Sequence, residues 1–179
     1  KEADEKKKEA AEVRNEADSM VFATEKALED LKDKVTSEDK EKAEKAMQSV
    51  YDILNTPYGA KLLDPPYKDH YFDGTLMIVF NPDTKENGGI FSQTQGWLIL
   101  AESILGHGNR AFEYFMETAP AAMNDKAEIR KMEPYVHGQF TESRQSPNAG
   151  CSHVHWLTGT ASTVMVGCVE GICGIQPDA

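Results

Sequence analysis

The sequence predicts a mainly α protein that begins with a long helical hairpin and continues with helices, short strands and long loops. Apolar residues three and four positions apart run from Val13 to Val35, as in a helix with one buried stripe. Thr36 and Asp39 form a capping signal that predicts a second helix. Helical spacing returns in three segments beyond residue 54, so helices are expected to outnumber strands.

Composition divides the chain into two parts. Residues 1–50 hold 26 of the 49 charged residues and one aromatic residue, Phe22, and they contain no Gly or Pro. All 13 Gly, all 8 Pro, both Trp and all three Cys lie in residues 51–179. The formal net charge of -11 argues against an extended basic surface, so we expect no nucleic-acid partner.

The sequence also bears on location and redox state. It contains no run of 18 or more apolar residues, and its N-terminus lacks the basic, apolar, small-residue order of a signal peptide. Cys151, Cys168 and Cys173 are an odd number near the C-terminus, unlike a spread disulfide framework. We therefore expect a soluble, cytoplasmic protein with reduced thiols and no membrane partner.

The charged first part reads as two helices. The stripe of the first helix comprises Val13, Ala17, Val21, Thr24, Leu28, Leu31 and Val35, and the apolar positions of the second are Ala43, Met47, Val50 and Leu54. Residues 55–57, Asn-Thr-Pro, are expected to end the second helix. Physical reasoning alone favours a solvated hairpin whose stripe needs a partner, and self-association into a homo-oligomer would supply one.

The residues of this part also resemble a known family. Glu12–Asp18 followed by Phe22–Lys26 resembles the first long lid helix of the DnaK-type heat-shock chaperones, and residues 34–40 resemble the turn into the next lid helix. On this resemblance we interpret residues 1–46 as a charged, lid-like helical segment. A lid helix alone implies neither an ATPase nor a peptide groove.

The second part predicts two extended segments and three helices. Ala60–Asp64 and Thr75–Asn81 are short apolar stretches between turn formers. Residues 90–105 predict a buried helix ending near Gly106, and Asn109 is expected to cap the next helix. In the buried helix Trp97, Leu98, Ala101 and Leu105 lie at helical spacing, and the second helix carries Ala111, Phe112, Phe115 and Met116. A last helix, residues 160–173, is rich in small residues that allow close packing.

Five strings in the second part match one family in order and at family spacing. They are Tyr58–Gly59 with Leu63–Tyr67, Lys85–Phe91, Arg110–Tyr114, Glu133–Val136 and Trp156–Ala161. Together they resemble the C-terminal catalytic region of the inverting disaccharide phosphorylases, which include the cellobiose, laminaribiose and chitobiose phosphorylases. The resemblance covers residues 44–177 and implies an incomplete (α/α) barrel over residues 47–179. With its lid-like segment, the chain has the sequence of an apparent chimera.

The resemblance implies a phosphate subsite. Thr158 and Gly159 match the family's phosphate contacts, and a plain helix cap is the alternative interpretation of both. Gln93 stands where the family usually has a His that contacts phosphate. Because Gln is neutral at every pH, we expect weaker phosphate binding than in a site with that His.

The resemblance also implies a sugar subsite. Glu86 matches a sugar-binding carboxylate in a glycine-containing loop, and an exposed turn residue is the alternative. Tyr135 and Gln139 match residues that line the acceptor-sugar subsite, and core packing is their alternative. The implied partners are therefore a small saccharide and phosphate.

Family chemistry implies phosphate as co-substrate and no cofactor. Phosphate attacks the anomeric carbon from one face while an Asp general acid protonates the departing sugar oxygen, which gives a sugar 1-phosphate with inversion. That Asp and a phosphate-binding Arg belong to an earlier part of the family's barrel, so no catalytic residue is assigned in this chain. Three hypotheses follow: an inactive phosphorylase fragment, a non-catalytic helical interaction module related to a chaperone lid, and an enzyme completed by another chain.

The remaining chemically capable residues lie near the C-terminus. Cys151, His153 and His155 alternate along a segment that would place them on one side of an extended chain. A structural zinc site needs four ligands and no fourth is evident, so no metal site is assigned. Cys168 and Cys173 are expected to be buried free thiols on a helix.

Overall fold

The computed structural model describes residues 36–68 and 79–176, and it confirms a mainly helical protein. Residues 44–176 form one compact unit, to which residues 36–43 do not belong. The helices are α1 (Ser37–Ser49), α2 (Ser92–Leu105), α3 (Gly108–Thr118), α4 (Ala127–Arg130) and α5 (Thr160–Val166), and the strands are β1 (Ile90–Phe91), β2 (Gly138–Thr141) and β3 (Ser152–His155). The apolar stripe predicted from Val13 to Val35 lies outside the described residues.

The start of α1 is the predicted capping pair. The Asp39 carboxylate accepts hydrogen bonds from the N–H and the hydroxyl of Thr36, at 3.1 and 2.7 Å. In return, the Asp39 N–H donates to the Thr36 hydroxyl at 3.1 Å, which satisfies a donor that the first turn leaves open. A π-helical turn, Val50–Leu54, follows α1, and the helical run ends at the extended Asn55, as predicted.

The buried face of α2 differs from the prediction. The helix begins at Ser92, because the two residues before it pair in the sheet as β1. Trp97 is 58% exposed, and the buried positions are instead Gln95, Gly96, Ile99 and Glu102. Hydrogen bonds explain why the polar Gln95 is buried. Its side-chain amide accepts from the Ala60 N–H at 2.9 Å and donates to the Ala60 carbonyl at 2.8 Å.

Glycines bring α2 and α5 into close contact. A Cβ on Gly96 would lie 2.3 Å from the carbonyl carbon of Thr163, and a Cβ on Gly167 would lie 2.8 Å from the carbonyl oxygen of Gly96. Only glycine fits at such distances. A π-helical segment, Gly167–Ile172, continues α5, so the predicted last helix and its close packing are both confirmed.

A two-residue turn joins α2 to α3. Gly106 ends α2 with a φ of 86°, a left-handed conformation that glycine adopts without steric cost. The next helix already starts at Gly108, with His107 in the capping position and no side-chain cap. The prediction that Asn109 caps α3 is therefore wrong, because Asn109 lies inside its first turn.

The core of the compact unit lies where α2, α3 and α5 meet. Its buried apolar residues are Ala60, Ile99, Ala111, Tyr114 and Val164. Ala111 is buried, whereas Phe112 and Met116 are 52% and 41% exposed. The buried face of α3 instead carries Tyr114, which packs edge-on against Tyr51 with ring centroids 6.2 Å apart.

Three antiparallel strands lie in the order β1, β2, β3. Ile90 pairs with Thr141, which in turn pairs with Ser152, so residues far apart in sequence meet in one sheet. The stretch predicted to be extended at residues 60–64 forms no strand, although the N–H of Leu62 donates to the Gly89 carbonyl at 3.0 Å. Most of the second such stretch, residues 75–78, lies outside the described part.

Membrane span and thiol state complete the description. No helix in residues 36–68 and 79–176 is long and apolar enough to cross a membrane. Cys151 is a buried free thiol, Cys168 is half-buried and Cys173 is exposed. The prediction that Cys173 is buried is thus wrong, because the helical run ends at Ile172 and leaves Cys173 on the surface.

Candidate functional site

The turn before α5 places two of the predicted phosphate residues. Gly159 immediately precedes Thr160, the first residue of α5, and Thr160 is fully buried. The Thr158 hydroxyl accepts a hydrogen bond from the Thr160 N–H at 3.2 Å and is also hydrogen-bonded to the Thr160 hydroxyl. These local bonds fix the turn, and they are also what a helix-capping role would produce.

Gln93 meets this turn from the first turn of α2. A Cβ on Gly159 would lie 3.3–3.4 Å from the side-chain amide atoms of Gln93, so the Gln93 amide lies beside Gly159. A hydrogen bond of 3.0 Å from the Thr163 hydroxyl to the Gln93 carbonyl joins the two helices at the same level. Gln93, Thr158 and Gly159 therefore lie together, and we call them the phosphate-side turn.

Glu86 lies in a loop of residues 84–89, which we call the sugar-side loop. Its carboxylate is exposed, and the loop closes through a 2.9 Å hydrogen bond from the Gly89 N–H to the Lys85 carbonyl. Asn87, fully buried, anchors it, because its side-chain amide donates to the carbonyls of Tyr67 and Phe80, both at 2.9 Å. A well-anchored loop thus presents a carboxylate to solvent.

Lys85 connects the sugar-side loop to the sheet. Its ammonium group donates to the side-chain oxygen of Gln139 on β2 at 3.3 Å and lies 5.4 Å from the ring centroid of Phe140. Gln139 is half-buried, so it is neither a core residue nor fully exposed. The structure therefore brings Gln139 to the loop that carries Glu86.

Tyr135 is 71% exposed, which does not fit its alternative interpretation as a core residue. Its ring lies 6.1 Å from that of Trp156, which is 66% exposed. The backbone N–H of Trp156 donates to the His137 carbonyl at 3.3 Å, and its carbonyl accepts from the Thr158 N–H at 3.1 Å. The aromatic pair therefore adjoins the phosphate-side turn.

Sequence reasoning assigned no role to Trp156, although its string was part of the resemblance. Its backbone has a φ of 71°, and that of Val154 has a φ of 53°; both are unusual for residues with bulky side chains. Strained backbone of this kind clusters at functional sites. Exposure and backbone conformation are properties of the fold, so no local sequence signal could have revealed them.

The residues considered as zinc ligands make other contacts. The His153 ring lies 2.7 Å from the Glu142 carboxylate and stacks on Phe140 with centroids 4.9 Å apart. His155 contacts the Ser152 carbonyl at 3.1 Å, and Cys151 is buried. Among residues 36–68 and 79–176, no three metal-ligating side chains are placed to share an ion.

Comparison with known proteins decides the family. The sequence model described as "Glycosyl hydrolase 94 superfamily, catalytic domain" matches residues 4–174, nearly the whole chain. The chain belongs to the glycosyl hydrolase 94 superfamily. This match supports the resemblance to disaccharide phosphorylases on which the candidate site depends. It also includes most of residues 1–46, whose likeness to a chaperone lid stays a prediction.

Several phosphorylases are among the curated proteins that the chain resembles. The chain is 35% identical over 136 residues, 76% of its length, to N,N'-diacetylchitobiose phosphorylase of Vibrio furnissii. It is 28% identical over 137 residues, again 76% of its length, to solabiose phosphorylase of Paenibacillus borealis. The matched regions make up 17% and 18% of those proteins, so the chain corresponds to about a sixth of each.

Proposed function

We propose that this chain is a fragment of an inverting glycoside phosphorylase that cleaves a β-linked disaccharide with phosphate to give a sugar 1-phosphate. One observation carries the proposal: Gln93, Thr158 and Gly159, predicted from separate strings of the sequence, meet at the phosphate-side turn. Membership of the superfamily and the names of the relatives support it. We further propose that α2, α3 and α5 are consecutive parts of an (α/α) barrel.

In this proposal the phosphate-side turn orients phosphate for its attack on the anomeric carbon. The Thr158 hydroxyl and the backbone N–H of Gly159 donate hydrogen bonds to phosphate oxygens. Such hydrogen bonds to a charged group are strong. Gln93 supplies a neutral amide next to them. Because no cation belongs to this turn, we expect weak phosphate binding by the chain.

The sugar subsite is proposed to use Glu86, Gln139 and Tyr135. The exposed Glu86 carboxylate accepts hydrogen bonds from sugar hydroxyls, and Gln139, held by Lys85, offers a second polar contact. Tyr135, with Trp156 beside it, offers an aromatic surface for the apolar face of a sugar ring. The substrate class is therefore a small saccharide.

We assign no general acid in this chain, and we propose that it binds ligand without turnover. Phosphate attack on a glycosidic bond needs a carboxylic acid on the opposite face to protonate the leaving oxygen. If another polypeptide supplies that acid, the chain is part of an assembled enzyme. Residues 1–46 are proposed as a separate helical segment that mediates self-association, and residues 47–179 as the phosphorylase-like part.

Phosphate binding and sugar 1-phosphate formation test this proposal. Calorimetric titration with inorganic phosphate should show weak binding that Thr158→Ala reduces about tenfold, since one charge-assisted hydrogen bond to the anion is lost. A pure capping role predicts unchanged phosphate affinity in Thr158→Ala. Assays with N,N'-diacetylchitobiose, cellobiose and laminaribiose should show no sugar 1-phosphate, and robust turnover would contradict the absence of a general acid.

A further inference from the structure

Within residues 36–68 and 79–176, Arg130 is a buried guanidinium without an anionic partner. It is the last residue of α4, and only 8% of its surface is exposed. Within the described part of the chain, its side chain takes part in no hydrogen bond and no ion pair. Burial is the cause that lowers the pKa of Arg130, and no carboxylate offsets it.

A second buried cation, Lys61, shows the usual arrangement. Lys61 is 2% exposed, and its ammonium group lies 2.6 Å from one carboxylate oxygen of Asp64 and 2.6 Å from one of Asp83. Buried charges are normally paired in this way, because an isolated ion loses its hydration. Arg130 departs from that rule, and an arginine does not escape it by losing its proton.

The guanidinium nitrogens of Arg130 keep some contact with solvent. The buried side-chain atoms that lack both a hydrogen-bond partner and solvent contact belong to Asn55, Tyr114, Glu117 and Ser143. Arg130 is not among these residues although its nitrogens are unpartnered, so the small exposed fraction of Arg130 includes them. The stem of Arg130 is therefore buried while its donors keep contact with solvent.

His137 lies close enough to Arg130 to feel its charge, and it locates the guanidinium in the fold. Burial lowers the pKa of His137, and the nearby positive charge of Arg130 lowers it further. His137 immediately precedes β2, and its carbonyl accepts the N–H of Trp156 at 3.3 Å. The unpaired cation therefore lies near the strand ends that carry the Tyr135–Trp156 pair.

We propose that Arg130 is the centre of an anion-binding site, with the His137 imidazole as a second donor. A guanidinium presents two parallel N–H groups that match two oxygens of a phosphate or a carboxylate. The ligand is accordingly a small oxyanion, either free inorganic phosphate or the carboxylate of an acidic sugar. This site uses none of the residues of the phosphate-side turn, so its test is independent of the test of the proposed function.

Calorimetric titration of the 179-residue chain with inorganic phosphate, glucuronate and neutral glucose tests the site, at a constant ionic strength set by chloride. Arg130→Gln should weaken binding of the recognised anion by about tenfold or more, because its charged donors are lost. Lys131→Gln removes the same charge from the next, exposed residue and should leave the affinity unchanged. In a Thr158→Ala background, binding at Arg130 should persist.

The two anions distinguish the sources of the ligand. A phosphate response that depends on Arg130 assigns free phosphate, and an Arg130-dependent glucuronate response with no glucose response assigns an acidic sugar. Equal binding by Arg130→Gln and the unaltered chain overturns the proposal. So does the absence of binding of both anions by the unaltered chain.

Urea unfolding in phosphate-free chloride buffer supplies a second measurement. Arg130→Gln should unfold at an equal or higher urea concentration than the unaltered chain, because an unpaired buried charge has been removed. A marked drop in the unfolding midpoint, with none in Lys131→Gln, would mean that Arg130 is paired within the protein. That result would also overturn the proposal.

Discussion

The sugar-side loop and the phosphate-side turn are held in place by different forces. Buried polar contacts anchor the loop: Asn87 bonds two carbonyls, and Asp83, which is also fully buried, binds Lys61 at 2.6 Å. Close helix packing positions the turn, since Gly96 lets α2 approach the backbone of Thr163. A loop without regular structure needs side-chain bonds, whereas helices need only matching surfaces, and the two regions should respond differently to substitution.

The largest loss of stability is expected in the sugar-side loop. Asp83→Asn keeps the shape of the side chain but removes the charge that Lys61 contacts inside the protein, and breaking a buried pair costs about 3–5 kcal/mol. The remaining contact of Lys61, with the half-exposed Asp64, offsets only part of this. Urea unfolding measures the free energy of unfolding, and Asp125→Asn, at an exposed position, is the matched control. A change below about 1 kcal/mol in Asp83→Asn would contradict the importance of the pair.

Substitution at the contact between α2 and α5 should cost somewhat less stability. Gly96→Ala adds a Cβ only 2.3 Å from the Thr163 backbone, so α2 and α5 must move apart, at a cost of about 2–3 kcal/mol. Gly108→Ala is the control, because a Cβ there meets nothing within 4 Å. Thermal unfolding should separate the two variants clearly. Equal melting temperatures would mean that the close approach of the helices is not needed for stability.

Glu117 sharpens the contrast because it is a half-buried carboxylate that forms no ion pair within the described residues. Burial raises the pKa of Glu117 from 4.5 to about 7, although a hydrogen bond from Asn55 opposes the shift. The folded state therefore loses stability as the pH rises from about 4.5 to about 7, since the unfolded chain ionises first and the folded chain resists ionisation.

Glu117→Gln removes that penalty and should raise the free energy of unfolding by about 1–2 kcal/mol at pH 8, after allowance for partial solvent contact. At pH 4 the effect should vanish, because the carboxyl group is then protonated in both states. Urea unfolding at the two pH values measures the difference, with the exposed Glu128→Gln as control. A benefit that is equal at both pH values would contradict ionisation as its cause.

Local signals predicted the parts of this fold that depend on neighbours in sequence. The capping pair at Thr36 and the end of α2 near Gly106 were predicted because their hydrogen bonds close within a few residues. The buried face of α2 was not, because Gln95 is buried by bonds to Ala60, 35 residues away. Polar residues on that face break the apolar spacing that sequence analysis follows.

The candidate site divides in the same way. Family strings suggested the members of the phosphate-side turn, and their proximity in the fold supports a proposal about their roles. Arg130 and Trp156 were missed for different reasons. Arg130 is distinguished by the lack of an ion-pair partner within the described residues, and Trp156 by its exposure. Neither property can be predicted from a short stretch of sequence.

The smallest expected effect concerns the charge of the phosphate-side turn. Gln93→His places an imidazole beside Gly159, where the Gln93 amide now lies. A protonated imidazole adds a charged donor for phosphate, so affinity should rise about fivefold at pH 6, or roughly 1 kcal/mol, and much less at pH 8 where the ring is neutral. Calorimetric titration with phosphate at both pH values measures this, and Gln93→Asn, which stays neutral, should show no such pH difference. If Gln93→His binds phosphate no better than Gln93→Asn at pH 6, the turn does not face the anion, and its residues serve only to join α2 to α5.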